Sequence, residues 1–425
     1  MKKVMDYFKE ICAIPHASFQ TDELKEYLLK HCEKCGFEAK VDEAGNIYAI
    51  KGDPKVCLQS HYDMVCVGDA PNLVLEEKDG FLRAKNSSLG ADNGIGIAIS
   101  MVMMEEFKNL EVIFTNNEEV GLWGAAKFNY KIKSGKVLNL DSEEDDRVSI
   151  GCAGSVDMYA NRIIKKIPHN GFVYELNLSG FPGGHSGTQI DQNIPNAIKF
   201  LVKFIKENNG KISKFDGGER RNSIAANASA IAVFDTEIKN TPEYIKANLI
   251  GKQECEIYNF SDALLNMLVL FSQGVRTYNK ELKIPGDSIN LSTAKEKEGK
   301  FEVLFFARSM SKEGLENSKF ETKTLCECFS FDFKFQNQTT PWNPQVNEFS
   351  EIVLKALKKY SPNAKFAAVH AGLECGVFIG KDESLLATSI GPNIFNPHSI
   401  NEKVELKSVD IIEKAVKDIL KDIGA

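Results

Sequence analysis

The chain has 425 residues, of which 43% are hydrophobic and 26% are charged, so its composition is that of a globular protein rather than a disordered or collagen-like one. The 52 Lys and Arg residues against 59 Asp and Glu residues leave a net charge of −7, which disfavours nucleic acid and anionic membranes as partners. The length predicts two or three domains, and small molecules or short peptides are the better candidate ligands.

The lack of a predicted export segment and the pattern of cysteines both favour the cytoplasm. Charged residues interrupt the apolar positions near the N-terminus, and no later stretch approaches about 18 apolar residues, so no export or membrane-spanning segment is predicted. The ten cysteines are scattered, and several lie in apolar runs where they behave as small buried hydrophobes. We therefore expect a protein of the reducing cytoplasm.

The first part of the chain alternates between two periodicities. Residues 1–35 have apolar side chains at helical spacing, and residues 94–107 form a second strong helical pattern. Short apolar or β-branched segments, which predict strands, lie at residues 46–50, 55–59, 110–115 and 136–140. Strands that alternate with helices indicate an α/β layer with a partly parallel sheet.

The middle of the chain has a different texture. Alternating strands such as residues 172–178 and 225–234 are mixed with helices such as 194–207 and 261–271, which is typical of an α+β domain. This pattern predicts a separate domain over residues 161–340.

The α/β pattern then returns, with a helix at 348–360, a strand at 384–390 and a final helix at 406–423. The simplest arrangement is one α/β domain built from residues 1–160 and 341–425. It contains a mixed, partly parallel sheet between helices, and the α+β domain is inserted into it.

Side chains able to bind metal follow the predicted strands of the α/β domain. His61 and Asp63 share one face if the strand at 55–59 continues, because strand side chains alternate. Asp92 stands at a helix start, and the other candidates come after strands: Glu118, Glu119, Asp141 and His398. Open α/β sheets place their sites at the carboxyl ends of the strands, and imidazole with carboxylate suits zinc, cobalt or manganese. Taken singly, an aspartate in the position of Asp92 is more often a helix cap than a metal ligand.

Five motifs in order resemble the di-zinc peptidase family that includes aminoacyl-histidine dipeptidases, glutamate carboxypeptidase and acetylornithine deacetylase. They are Ser60-His61-Tyr62-Asp63-Met64-Val65, Gly90-Ala91-Asp92-Asn93-Gly94, Asn117-Glu118-Glu119-Val120-Gly121, Asn139-Leu140-Asp141-Ser142-Glu143 and Pro397-His398. Two further segments are most similar to the aminoacyl-histidine, or cytosol non-specific, dipeptidase branch: Gly183-Gly184-His185-Ser186-Gly187 and Val369-His370-Ala371-Gly372-Leu373-Glu374-Cys375-Gly376.

The resemblance implies a role for each of these positions. His61 and Asp141 would bind one metal ion and Glu119 and His398 the other, while Asp92 would bridge both. Asp63 would orient His61, as a carboxylate beside a ligating imidazole commonly does. Glu118 would be the general base for a hydroxide held between two divalent ions, most simply zinc, with cobalt or manganese as alternatives.

The inserted domain would then be a lid or dimerisation-type domain, and a homodimer remains open. His185 resembles a lid histidine that reaches the active site, although a surface turn histidine is the alternative. Asn222 and Arg308 resemble positions that hold the substrate's carboxylate. His370 and Glu374 either line the substrate pocket or hold their loop together by hydrogen bonds, and Glu143 and Glu144 are interpreted as a solvated loop.

These residues together predict a metal-dependent dipeptidase acting on short peptides. A tripeptidase or N-acyl amino acid deacylase on the same scaffold is the first alternative, because specificity resides in the lid rather than in the metal ligands. A non-catalytic binding protein is the second alternative, but it should have lost part of the ligand set or the base. No Gly-x-Ser-x-Gly motif supports a serine hydrolase.

Overall fold

The computed structural model describes every residue from Met1 to Ala425 and divides the chain into two compact units. The first unit comprises Met1–Cys152 and Trp342–Ala425, and the second unit is Ala153–Pro341. The sequence pattern placed the first boundary at residue 160. The structure places it earlier, because strand Gly154–Ile163 pairs along its whole length within the sheet of the second unit.

The N-terminal part of the first unit contains four helices and eight strands. They are α1 (Lys2–Cys12), α2 (Asp22–Lys34), β1 (Glu38–Val41), β2 (Ile47–Lys51), β3 (Cys57–His61), β4 (Leu75–Lys78), β5 (Phe81–Ala84), α3 (Ala91–Glu106), β6 (Leu110–Thr115), α4 (Trp123–Lys127), β7 (Lys136–Asn139) and β8 (Arg147–Cys152).

The second unit contains eleven strands, three α-helices and a 3-10 turn at Ile190–Gln192. They are β9 (Gly154–Ile163), β10 (Lys166–Leu178), β11 (Gly184–His185), α5 (Ala197–Glu207), β12 (Lys211–Gly217), β13 (Ser223–Ile224), β14 (Ala228–Phe234), β15 (Ile245–Tyr258), α6 (Ser261–Leu270), β16 (Gly274–Asn279), β17 (Ile284–Lys297), β18 (Lys300–Ser309), α7 (Lys312–Cys328) and β19 (Asp332–Gln336).

The chain then returns to the first unit with α8 (Glu348–Lys358), β20 (Lys365–Val369), α9 (Glu374–Lys381), β21 (Leu386–Ser389), β22 (Ile394–Phe395), β23 (Lys403–Glu405) and α10 (Leu406–Asp422). Strands β22, β23, β5 and β4 form a small four-stranded sheet in that order.

An eight-stranded sheet organises the first unit, in the order β1-β2-β6-β3-β7-β21-β8-β20. Its centre is parallel, since β3 pairs in parallel with β6 and β7, and β7 pairs in parallel with β21. The β1–β2, β2–β6 and β21–β8 pairs are antiparallel. This mixed sheet confirms the predicted α/β class.

Alternation along the central strands gives the sheet two buried faces. Leu58, Val112 and Leu138 join one hydrophobic cluster together with residues of α1, α3, α8 and α10. Their neighbours Ile113 and Val137 join a second cluster, with residues of α4 and α9. Helices therefore cover both sides, and the polar residues that follow the strands collect at the sheet's edge.

The second unit is an antiparallel nine-stranded sheet, in the order β15-β10-β14-β12-β17-β18-β9-β19 with β16 paired to β17. Its core contains buried residues of α5, α6 and α7 against strand residues such as Leu176, Ile212 and Val303. A two-stranded ribbon of β11 and β13 accompanies this sheet. Across both units, no helix combines the length and apolar character needed to cross a bilayer.

Candidate active site

The candidate ligands of the first unit lie at the carboxyl ends of neighbouring parallel strands. His61 is the last residue of β3, Asp141 follows β7, and the Glu118–Glu119 pair follows β6. Asp92 lies in the first turn of α3, where its backbone is not yet helical (φ −83°, ψ 104°). The preceding Gly90 has φ +71°, a left-handed conformation that favours glycine, and this turn directs the chain into α3.

These side chains form two groups that share Asp92. His61 Nε2 lies 2.9 Å from Asp92 Oδ1 and 3.4 Å from Asp141 Oδ1. His398 Nε2 lies 3.2 Å from Asp92 Oδ2 and 2.9 Å from Glu119 Oε1. In each group the three ligand atoms lie within 4.8 Å of one another, so each is compact enough to surround one ion.

Glu118 lies beside these groups. One of its carboxylate oxygens falls within 4.8 Å of ligand atoms of His61 and Glu119. Burial and the negative charges of Glu119 and Asp141 raise the pKa of Glu118 well above its usual range, despite the opposing effect of His61. A carboxyl group with a raised pKa is suited to accept and return a proton.

Asp63 is buried and makes more contacts than the sequence predicted. The acceptor nearest to His61 Nδ1 is the Asp63 main-chain oxygen at 3.0 Å, whereas the carboxylate lies 3.6 Å away. That carboxylate instead accepts the backbone N–H groups of Glu118 and Glu119, at 2.8 and 3.3 Å, and the hydroxyl of Ser18 at 2.7 Å. Asp63 therefore holds the imidazole through its backbone and the Glu118–Glu119 turn through its side chain.

The cluster contains more acid than its own bases neutralise. Burial and the charge of Asp92 raise the pKa of Asp141 to about 8, and burial with Asp92 also raises that of Glu119. Burial alone would lower the pKa of His398, but its contacts with Asp92 and Glu119 raise it to about 11. Asp141 Oδ1 is buried, and its contact with His61 Nε2 at 3.4 Å lacks the geometry of a hydrogen bond. Bound cations would neutralise the excess negative charge and give this oxygen a close partner, so the donor set fits divalent metal ions.

Glu374 and His370 are both buried; His370 directly follows β20, and Glu374 is the first residue of α9. Glu374 is fully inaccessible and accepts hydrogen bonds from Thr115 Oγ1 at 2.6 Å and from the Gln59 side chain. Its burial raises the pKa of the carboxyl to about 7. These contacts tie Glu374 to the central strands β3 and β6.

Three predicted residues belong to the second unit, where His185 and Asn222 come together. His185 pairs with Ser223 between β11 and β13, and the Asn222 carbonyl accepts the N–H of Ser186 at 2.9 Å. His185 Nδ1 accepts the N–H of Thr188 at 3.1 Å, which leaves the proton of the neutral ring on Nε2.

Arg308, the third, is a buried residue of β18 whose guanidinium lies 4.8 Å from the centre of the Phe306 ring. The guanidinium of Arg221 lies 5.2 Å from the same ring and pairs with the buried Asp157 at 3.1 Å. The guanidinium groups of Arg308 and Arg221 therefore both lie near the Phe306 ring, and Arg221 is also paired with Asp157.

A family model described as "Peptidase family M20/M25/M40" matches residues 57–422, which is most of the chain. The protein belongs to this peptidase family. The match confirms the resemblance carried by the five motifs and identifies the protein as a hydrolase of peptide bonds.

Individual M20 relatives support the assignment. The chain is 27% identical to the cytosol non-specific dipeptidase of Escherichia coli K12, over 99% of this chain and 97% of that one. It is 26% identical to the crystal structure of aminoacylhistidine dipeptidase from Vibrio alginolyticus, with a TM-score of 0.80 over 99% and 96% of the two chains. A dinuclear metal-binding peptidase of Bacillus subtilis from the M20 family shares the fold, with 12% identity and a TM-score of 0.50 over 98% and 96%.

One carboxylate of this peptidase, Glu402, escaped the sequence analysis, whereas Glu143 and Glu144 were interpreted as a solvated loop. Glu143 is exposed, as that interpretation expects, while desolvation of its carboxyl group and the charges of Asp92 and Asp141 raise its pKa to about 8. The neighbouring Glu144 is exposed and pairs with Arg147 at 3.0 Å, as expected for such a loop. Glu402 is buried near Asp92, and no motif marks it.

Proposed function

We propose that this M20 peptidase is a metal-dependent dipeptidase with two divalent ions, most simply zinc, with cobalt or manganese as alternatives. His61, Asp92 and Asp141 would hold one ion, and Asp92, Glu119 and His398 the other. The observation that carries the proposal is the pair of three-residue donor groups that share Asp92. Metal ions bound there lower the pKa of water and polarise the scissile carbonyl group.

Glu118 would carry out both proton transfers of this reaction. A Glu118 carboxylate oxygen takes a proton from the attacking water molecule while the water oxygen bonds to the carbonyl carbon. The same group delivers that proton to the amine nitrogen as the C–N bond breaks, which gives a free acid and a free amine. Asp63 holds the backbone of Glu118 in place for both steps.

The second unit supplies substrate recognition in this proposal. His185, with its ring proton on Nε2, would donate to the carbonyl oxygen as negative charge develops there. Arg308 and Asn222 would bind the terminal carboxylate, for which a guanidinium is the preferred cation. The names of the E. coli and Vibrio relatives favour dipeptides over tripeptides or acylated amino acids, and the former also favours the cytoplasm.

A substrate panel tests the assignment. Protein stripped of metal and reconstituted with Zn²⁺, Co²⁺ or Mn²⁺ would be assayed on Ala-His, β-Ala-His, Gly-Gly, Leu-Gly-Gly and N-acetyl-ornithine. We expect metal-restored cleavage of the dipeptides alone. Preferential cleavage of Leu-Gly-Gly or N-acetyl-ornithine would replace the dipeptidase assignment, and no cleavage with two bound metals would favour a binding protein.

A further inference from the structure

Glu402 is a buried carboxylate at the start of α3. Its Oε2 accepts the backbone N–H of Leu89 at 2.8 Å and its Oε1 accepts that of Ala91 at 2.9 Å, and the residue is 2% exposed. The N–H groups at a helix start carry partial positive charge and have no partner within the helix, so a carboxylate is stabilised there. Both oxygens of Glu402 are thus hydrogen-bonded to the backbone of the turn that leads to Asp92.

The other end of Glu402 belongs to the loop that carries His398, which we define as residues 396–402. Within it, Ser399 Oγ donates to the Asn396 carbonyl at 2.8 Å and accepts the N–H of Asn401 at 3.1 Å. The Glu402 N–H donates to the Ser399 carbonyl at 3.1 Å. These hydrogen bonds make the 396–402 loop a compact turn. A displacement of Glu402 would therefore also displace His398.

Glu402 therefore joins two loops that are far apart in sequence. Asp92 and His398 are 306 positions apart and come from different ends of the first unit, yet their side chains meet at 3.2 Å. The side chain of His398 is 46% exposed, so surrounding packing constrains it less than it constrains His61, which is 1% exposed. The placement of His398 depends correspondingly more on how its loop is tethered.

We propose that Glu402 is a positioning residue that sets the separation of Asp92 and His398, and thereby the affinity of the ion bound by Asp92, Glu119 and His398. This inference rests on the proposed two-metal function. Glu402 is not a ligand in this account, since both its oxygens are used by backbone N–H groups.

Glu111 provides a matched control. It is also fully buried in the first unit, and its two oxygens also accept two backbone N–H groups, those of Lys133 at 2.7 Å and Ser134 at 2.9 Å, in addition to the hydroxyl of Tyr48. The segment it grips carries no candidate ligand. Substituting either glutamate by glutamine replaces one accepting oxygen with an NH₂ group that faces a donor, so both variants lose comparable local stability.

The test is a Zn²⁺ titration of metal-stripped protein against a chromophoric chelator, on wild type, E402Q, E111Q and H398A. We expect wild type and E111Q to bind two ions with the same two affinities. E402Q should lower the affinity for the ion at Asp92, Glu119 and His398 by about 10- to 100-fold, as loss of a residue that supports metal ligands does. The affinity for the other ion should change by no more than a few-fold. H398A should lower the affinity for the same ion, and the E402Q/H398A double variant should bind that ion little more weakly than H398A alone.

Equal affinities in E402Q and wild type would overturn the inference, as would equal weakening of both ions or an effect that E111Q shares. If E402Q does not fold, E402D keeps the charge but shortens the reach by one methylene, and the same selective loss is expected. A wild type that binds no Zn²⁺ would instead overturn the proposed function, and the inference with it.

Discussion

Glu118 and Glu119 are adjacent in the chain but occupy different surroundings. The carboxylate of Glu119 reaches His398 Nε2 at 2.9 Å, whereas that of Glu118 approaches His61. Both backbone N–H groups are held by Asp63, which fixes the turn and lets the two side chains diverge. One carboxylate can therefore bind metal while its neighbour moves protons.

Glu118→Ala should lower kcat by about 10²- to 10⁴-fold, the usual effect of losing a general base. The same variant should retain two metal ions, because Glu118 belongs to neither of the groups that share Asp92. Steady-state kinetics and elemental analysis of one preparation would measure both quantities. Glu144→Ala, which removes an exposed glutamate paired with Arg147, serves as the control. Loss of a metal ion from Glu118→Ala would make Glu118 a ligand instead.

His185→Ala should reduce kcat by about 100-fold, because a donor to the developing negative charge is worth about that much. Metal content should be unchanged, since His185 lies in the second unit. The matched control is His169→Ala, because His169 is also in the second unit and its ring contacts Asp235 at 3.2 Å near the surface. Equal kcat values for wild type and His185→Ala would show that His185 is a surface turn residue without a role in catalysis.

At the scale of elements, hydrophobic periodicity located the strands well where their residues are apolar. The segment 110–115 coincides with β6, because all six of its positions are buried. The segment 55–59 was shifted from β3, which runs from Cys57 to His61, because the buried Ser60 and His61 are polar and periodicity does not mark them. Ordered pairing with β6 extends the strand to His61 and places it at the site.

In the candidate site, too, local sequence patterns predicted some residues, whereas contacts between distant parts of the chain determine the others. Motifs singled out the five candidate ligands, and the ends of β3, β6 and β7 explain why His61, Glu119 and Asp141 meet. Glu402 could not be predicted, because its partners are backbone N–H groups 311 and 313 positions away and no local pattern encodes them. The carboxylate of Asp63 likewise grips a turn 55 positions further along the chain.

Helix α8 begins with a capping box. Asn347 caps its start by accepting the N–H groups of Phe349 and Ser350, and Ser350 Oγ accepts the Asn347 N–H in return. Asn347→Ala should lower the free energy of unfolding by about 1 kcal/mol and leave kcat unchanged, because the cap is lost and no candidate site residue is touched. Urea unfolding measures this, with the exposed Asn363→Ala as control. An unchanged midpoint would show that the cap contributes nothing.

At the scale of the whole molecule, metal removal should destabilise the protein. Without cations the acidic cluster of the first unit is left with mutual repulsion, and ions that bind the folded chain stabilise it by about 2.7 kcal/mol at 100 times their Kd. Chelation should therefore lower Tm, and added Zn²⁺ should restore it, as measured by differential scanning calorimetry. Asp141→Asn, which removes one ligand charge, should reduce this metal-dependent shift. Identical Tm values with and without bound metal would contradict the expectation.

The position of β21 has a consequence for synthesis of the protein. This strand lies between β7 and β8 in the sheet of the first unit, yet the whole second unit separates β8 from β21 along the chain. At ribosomal rates of about 5–20 residues per second, the interval is on the order of 10–50 s. The contiguous second unit can fold during that time, while β7 and β8 wait with unpaired edges that another chain could join. We expect the nascent protein to be most prone to aggregation in this interval, before β21 emerges.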